Sequence, residues 1–294
     1  MRIQALMTAR RIGIVIAMLL GVLAFAPSTA SAQRATFQQT QQQQDDNSAI
    51  GEKYHIEGGF TFWNPTVAGL VSSEQFGYVG SNIDLVTDLG FAQTRFRDFR
   101  LILRPAKKHR FRIQYTPIDY TGDTNFKRDI VFNGVVFPVA IPVQSELGWK
   151  VLRLGYEYDF VYLPRGFVGV LFDARYTKFT ASLSSPIPCS AGAIGACTQF
   201  VQARAPLPAI GMVGRGYVTR EIALNFELSG LRVPNVSTRY QARYFDWNIG
   251  GTVNLTNNVG IEVGWRRMTT LLAVERDMGD VKFQGMWFGA ALRY

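Results

Sequence analysis

Two histidines, two cysteines and a long series of alternating charges are the residues of this 294-residue sequence whose types could do chemistry. Histidine can take or give a proton near neutrality, so a hydrolase would first be sought at His55 or His109. His55 shares a face of extended chain with Glu57. His109 lies in the basic run Pro105-Ala106-Lys107-Lys108-His109-Arg110. Nucleophilic chemistry needs the base within hydrogen-bond reach of both a hydroxyl and an orienting carboxylate. Both positions fall near the short-turn end of the expected strands and not at the opposite rim, and a lone histidine on a polar face is expected to be a hydrogen-bonded filler. No residue is assigned to catalysis, to a cofactor or to a metal.

Cys189 and Cys197 lie in the loop-like stretch PIPCSAGAIGACTQ. In an oxidising compartment they are expected to pair as a disulfide. Without histidine or acidic ligands close by, they make a poor metal site.

The charges carry more information. Glu57, Asp98, Arg100, Arg112, Arg153, Glu157, Asp159, Asp173, Arg175, Arg215, Glu227, Glu262, Arg266 and Arg293 occupy positions that alternate with apolar or aromatic residues. Against lipid, each would cost several kcal/mol. Inside a closed polar lumen they can pair, and their seven arginines balance seven acids.

The elements that must hold these residues are strands. From Gly51 to Tyr294 the apolar residues recur at period two, the repeat of a strand with two unlike faces. Phe99, Leu101 and Leu103 stand opposite Asp98, Arg100 and Arg104. Phe111, Ile113 and Tyr115 oppose Arg110, Arg112 and Gln114. Ile222, Leu224, Phe226 and Leu228 oppose Asn225, Glu227 and Ser229. In the first strand, placed at 53–63, Tyr54, Ile56, Phe60 and Phe62 share the apolar face, away from His55 and Glu57. Short links at 105–108, 163–166, 219–220 and 254–256 alternate with long or middling connections at 64–95, 119–142, 182–206, 234–237 and 271–280, the pattern of a membrane barrel. This predicts an all-β, closed antiparallel transmembrane barrel of about ten strands. Eight or twelve are the alternatives, depending on how 81–89 and 126–136 pair. A soluble sandwich also alternates, but its polar face would meet water and its sheet edges would stay open.

The N-terminus reads as an export signal. Arg2, Arg10 and Arg11 precede the apolar run Ile12–Ala26, and Ala30-Ser31-Ala32 supplies a small-residue cleavage site. Residues 1–32 are therefore expected to be a signal peptide rather than an N-terminal anchor. Residues 33–50 are a Gln-rich segment expected to be disordered, and 51–294 the barrel. Loss of the three signal arginines would lower the net charge from +9 to +6. A basic balance can mark nucleic-acid binding, but an exported, aromatic-alternating chain excludes it as a partner. Asn235-Val236-Ser237 and Gly214-x-Gly216 lack the context that would make them a glycosylation site or a nucleotide fingerprint.

The last segment reads VKFQGMWFGAALRY, with Met286, Phe288, Ala290, Leu292 and Tyr294 alternating to a terminal aromatic. It resembles the C-terminal assembly signature of bacterial outer-membrane β-barrel proteins. That resemblance implies a cell outer-membrane location, periplasmic termini, contact with outer-membrane lipids and recognition by the barrel-assembly machinery through the strand ending in Tyr294. The function expected is non-enzymatic: a barrel with a charge-balanced, narrow or plugged lumen and a structural or loop-mediated binding role. A small-solute channel, and a hydrolase acting on lipid or protein, are the alternatives.

Overall fold

The computed structural model describes residues 49–73, 80–188, 196–237, 240–274 and 277–294. The expected signal peptide, and all of the Gln-rich segment except its last two residues, fall outside the described residues. The strands are β1 (Ile56–Ser73), β2 (Ile83–Asp84), β3 (Phe96–Ala106), β4 (His109–Asn125), β5 (Ile130–Phe132), β6 (Val135–Phe137), β7 (Pro142–Leu163), β8 (Gly166–Ser185), β9 (Cys197–Tyr217), β10 (Ile222–Ser237), β11 (Tyr240–Asn254), β12 (Val259–Val274) and β13 (Asp277–Arg293).

Ten of these make one wall. Following the chain, each of β1, β3, β4 and β7 to β13 pairs antiparallel with the next, and β13 returns to β1 with Phe62 opposite Phe288 and Glu57 opposite Arg293. Closure leaves no strand edge unpaired, the requirement for a sheet surrounded by lipid. Tyr294 completes the seam: its amide donates to the Ile56 carbonyl, and its own carbonyl accepts from the His55 and Ile56 amides. The barrel is thus closed, antiparallel and ten-stranded. The segments at 81–89 and 126–136 add no wall strands. Within the first, β2 pairs with β1 through Ile83 and Asp84. The second forms the β5–β6 hairpin, a separate two-stranded sheet. Its turn is Asn133-Gly134, both at positive φ (51° and 76°), as a two-residue type I′ hairpin turn demands.

The first strand differs from its expected start. Tyr54 is buried and His55 is exposed, because β1 begins only at Ile56 and the preceding residues leave the wall. Several wall strands are also longer than expected. β7, β8 and β9 run 22, 20 and 21 residues, whereas about 9–11 suffice to cross a bilayer. The extra length continues past the apolar band on the side of the long connections.

The border of that band is one residue row wide. Phe99, Tyr115, Leu152, Tyr176 and Pro206 are successive cross-strand partners on the outer face. In the next outward-facing row toward the long connections, Pro117, Lys150, Lys178 and Arg204 are partners in turn. Below the border the outer face is apolar and exposed: Leu154, Phe172, Ile210, Leu224, Ile249, Val263 and Phe288 among others. Above it most apolar residues point inward instead, Leu70 and Phe200 being exposed exceptions.

Candidate functional site

The interior has two layers, and the elements just described explain both. On the short-turn side of the border, the strand face opposite the lipid-facing residues carries charge. All fourteen charged residues expected in the lumen lie on this face, buried or half-buried, each in at least one ion pair. Four more join them: Glu52, Arg104, Arg110 and Asp246.

The pairs are not isolated. An alternating path runs Asp98–Arg266–Asp246–Arg175–Asp173–Arg153–Glu227–Arg112–Glu157–Arg110–Glu52–Arg215–Glu57–Arg100–Glu262. Arg293 branches from Glu57 at 2.6 Å, Asp159 from Arg110 at 2.6 Å, and Arg104 from Glu52 at 3.6 Å. The described network therefore holds nine arginines and nine acids. Neutral groups fill remaining sites. Gln114 and Thr116 donate to Asp98, Tyr217 to Glu52 at 3.1 Å, and Tyr244 to Asp246 at 2.8 Å. Arg110 also lies over the Phe167 ring, 3.7 Å from its centroid, and Arg266 over Trp63 at 4.9 Å. Buried ion pairs recover their desolvation cost only when geometry and additional hydrogen bonds are good; the neutral groups supply some of these bonds, while Arg110 Nε, Arg175 Nε and Asp173 Oδ1 are buried without a hydrogen-bond partner among the described residues.

Three of the four added residues share the face of those expected. Arg104, Arg110 and Asp246 stand in register with Asp98, Arg112 and Asn248, so alternation alone points to them. Glu52 precedes the first strand and carries no periodic signal. It sits on a strap, residues 49–54, that crosses the short-turn mouth of the barrel. The Ala49 amide reaches the Pro164 carbonyl, Ile50 donates to the Arg220 carbonyl at 2.8 Å, and Gly51 donates to Asn257 Oδ1 at 3.1 Å. These anchors belong to three different short turns. Tyr54, buried under Arg104 and Arg293, has its phenol pushed up to about 12 by burial, aided by Glu57.

On the long-connection side the lumen is apolar. Residues 83–91 fold inward, bringing Ile83, Leu85, Leu89 and Phe91 against Trp63, Ile118, Tyr120, Leu147, Trp149 and Phe283 of the wall. The β5–β6 hairpin closes over them with Ile130, Phe132 and Phe137. The aromatic rings interlock: Trp149 to Phe283 at 5.3 Å, Phe96 to Tyr120 at 5.0 Å, Phe91 to Tyr120 at 5.6 Å. Each such fully buried side chain contributes about 1.5–3 kcal/mol. Polar pins fix the register. Ser145 Oγ lies 3.0 Å from both the Leu89 and Gly122 carbonyl oxygens, Ser81 donates to the Val131 carbonyl at 2.8 Å, and Arg128 donates to the Asn82 carbonyl and to Asp88. Amides of Thr87 and Val86 hold the Asp84 carboxyl below its usual range and cap the turn that follows.

Between the layers a cavity of about 30 Å³ remains, lined by Trp63, Asp98, Arg100, Gln114, Asn248 and Arg266 among others. Beside the inward segment another holds about 10 Å³. Larger hollows lie on the outside of the extended wall. One of about 360 Å³ borders Asp119, Glu146, Lys150 and Lys178. A second, about 530 Å³, lies at the rim and is lined by Asp123, Asn125, Gln144, Ser184 and Thr198 among others.

The histidines are apart from both layers. Nδ1 of His55 faces the Arg104 carbonyl at 3.4 Å, and Nδ1 of His109 faces the Tyr156 hydroxyl at 2.7 Å. The expected Cys189–Cys197 disulfide falls partly outside the described residues. Cys189 lies outside them, while Cys197, the first residue of β9, is not a free thiol. The described residues contain no group of three or more His, Cys, Asp or Glu able to hold a metal ion.

The chain matches no protein-family model and no curated protein. Among solved structures it is similar to the outer membrane protease OmpT from Escherichia coli, with a TM-score of 0.54 at 12% identity, covering 84% of this chain and 98% of that one. It also aligns with the translocator domain of the autotransporter NalP from Neisseria meningitidis, with a TM-score of 0.40 at 10% identity, covering 88% and 96%. The fold is that of the bacterial outer-membrane β-barrels. The outward band of exposed apolar side chains on that closed wall is the surface of a protein resident in the outer membrane.

Proposed function

We propose that this protein is a plugged, non-enzymatic outer-membrane barrel that works through its extended rim rather than its lumen. The observation that carries the reading is the filling of the interior across both layers. The two interior cavities seen among the described residues, about 30 and 10 Å³, hold at most a few water molecules. Short turns, strap and termini lie at the periplasmic end in this reading, and the long connections outside, following the usual asymmetry of such barrels. The rim hollow of about 530 Å³, rich in Ser, Thr, Asn and Asp side chains, then faces outward as the binding surface. The last strand, ending on the exposed Tyr294 that seals the seam with β1, presents the assembly signal.

Likeness of fold to a protease does not bring a catalytic set with it. The hydrogen-bond partners of His55 and His109 are a carbonyl and a phenol, and both residues sit at the short-turn end. Purified protein in vesicles should cleave neither a mixed peptide library nor phospholipid, and should not make the vesicles swell in small sugars. Turnover abolished by changing either histidine would overturn the non-enzymatic reading. Swelling would overturn the plug.

A further inference from the structure

The outer face of the extended wall carries an arrangement that the plug does not explain. Lys150, Lys178 and Arg204 are direct cross-strand partners on β7, β8 and β9. Their side chains project from the same outward face, because opposite residues of an antiparallel pair share a side. Like charges placed directly opposite destabilise a sheet. None of the three forms an ion pair with a described residue, and Arg204 has only the Gln202 side chain, at 3.2 Å. Asp119 and Glu146 share this face and border the same hollow of about 360 Å³, but they stand farther toward the long connections: Asp119 is opposite Gly148, and Glu146 opposite Ser182. A second such pair stands elsewhere on the wall, where Arg232 and Arg243 are direct partners on β10 and β11, both exposed.

Position gives this cationic row its meaning. The neighbouring row toward the short turns is Leu152, Tyr176 and Pro206, the last apolar partners of the lipid-facing band. The three cations therefore stand where acyl chains end and headgroups begin. Three unneutralised charges at that depth, side by side, complement a multiply phosphorylated headgroup held by its own acyl chains. We propose that Lys150, Lys178 and Arg204 form a binding site for the phosphates of an anionic glycolipid in the outward leaflet.

The full-length protein, reconstituted in phosphatidylcholine vesicles doped with a diphosphorylated disaccharide glycolipid, tests this through the lipid that it retains on gentle detergent extraction. The triple variant Lys150→Gln/Lys178→Gln/Arg204→Gln changes only exposed or half-buried outward residues, and its folding is checked by circular dichroism. The site requires retention of the phosphorylated lipid to fall about 100-fold in the triple variant, from the effect of a basic residue at an anionic surface. The same lipid stripped of its phosphates should bind wild type and variant equally weakly. A control triple, Arg97→Gln/Arg267→Gln/Lys282→Gln, removes equal charge from the outer surface at residues with no cationic cross-strand partner, and should lose far less. Equal retention by wild type and the Lys150 variant, or an equal loss in the control, would overturn the site. Tight binding of inorganic phosphate to wild type without lipid would overturn the lipid as its ligand.

Discussion

Arg110 is the residue whose removal exposes most about the lumen. It is fully buried and reaches three carboxylates: Glu157 and Asp159 at 2.6 Å and Glu52 at 3.0 Å. Glu157 keeps Arg112 if Arg110 is lost, and Glu52 keeps Arg104 and Arg215. Asp159 has no second cation within ion-pair distance among the described residues. Arg110→Met would leave its carboxyl dry and without a cation, and removing one partner of a buried pair costs about 3–5 kcal/mol. The contact with Phe167 is lost as well, roughly another 1–2 kcal/mol in a desolvated site. The assay is urea unfolding in phosphatidylcholine vesicles, followed by tryptophan fluorescence. The double variant Arg110→Met/Asp159→Asn removes the orphaned carboxyl and should recover about 1–3 kcal/mol, the coupling typical of residues in direct contact. A loss below about 1 kcal/mol for Arg110→Met would refute the network as a dry, interdependent unit. A double variant as unstable as the single would refute Asp159 as its weak point.

Other perturbations reach the strap and the inward segment at 83–91. Gly122 has no room for a side chain, since a Cβ would meet the Leu89 carbonyl and Ser145 Oγ. Gly122→Val should therefore push residues 85–91 off the wall at a cost of about 1–3 kcal/mol, read as new proteolysis within that segment, and unchanged protection would refute the contact. Glu52→Gln removes the charge that Arg110, Arg215 and Tyr217 share. The amides of Ile50 and Gly51 should then exchange about 10- to 100-fold faster, matching the roughly 1–3 kcal/mol cost of unsatisfied buried partners. For Tyr54 the sign follows from its raised pKa. The folded state binds the phenolic proton more tightly than the unfolded chain, so its contribution is full below pH 10.0 and is lost as pH rises toward about 12. Strap amides should lose protection over that window, and Tyr54→Phe should abolish the transition.

The wall was legible in the sequence where lipid and lumen impose opposite demands. Phe111, Ile113 and Tyr115 against Arg110, Arg112 and Gln114 is a pattern that only a two-faced strand explains. Beyond the border, residues 64–73 of β1, 119–125 of β4 and 197–206 of β9 look like loop in the sequence, and the reason is a change of phase. In β7 the apolar positions are Leu152, Leu154, Tyr156 and Tyr158 below the border but Val143, Leu147, Trp149 and Val151 above it. In β8 they move from Phe172 and Tyr176 to Ala181 and Leu183, and in β13 from Met286 and Phe288 to Val281 and Phe283. An apolar outer face over a charged inner one gives way to a polar outer face over an apolar inner one. Alternation persists through the switch, but its register slips by one residue, which looks like an interruption. The inward fold of 83–91 is a tertiary event with no local repeat to announce it. Glu52 was hidden for a related reason, because a strap residue is fixed by anchors as distant as Pro164, Arg220 and Asn257.

The central claim, a barrel closed to solutes by a charged layer and an apolar plug, is tested most directly by electrical recording. Folded protein inserted in a planar bilayer should give no discrete conductance steps at moderate voltage, under conditions where an open porin reconstituted alongside conducts. Regular, reproducible steps from the wild-type protein would contradict the filled lumen, whatever the stability of its parts.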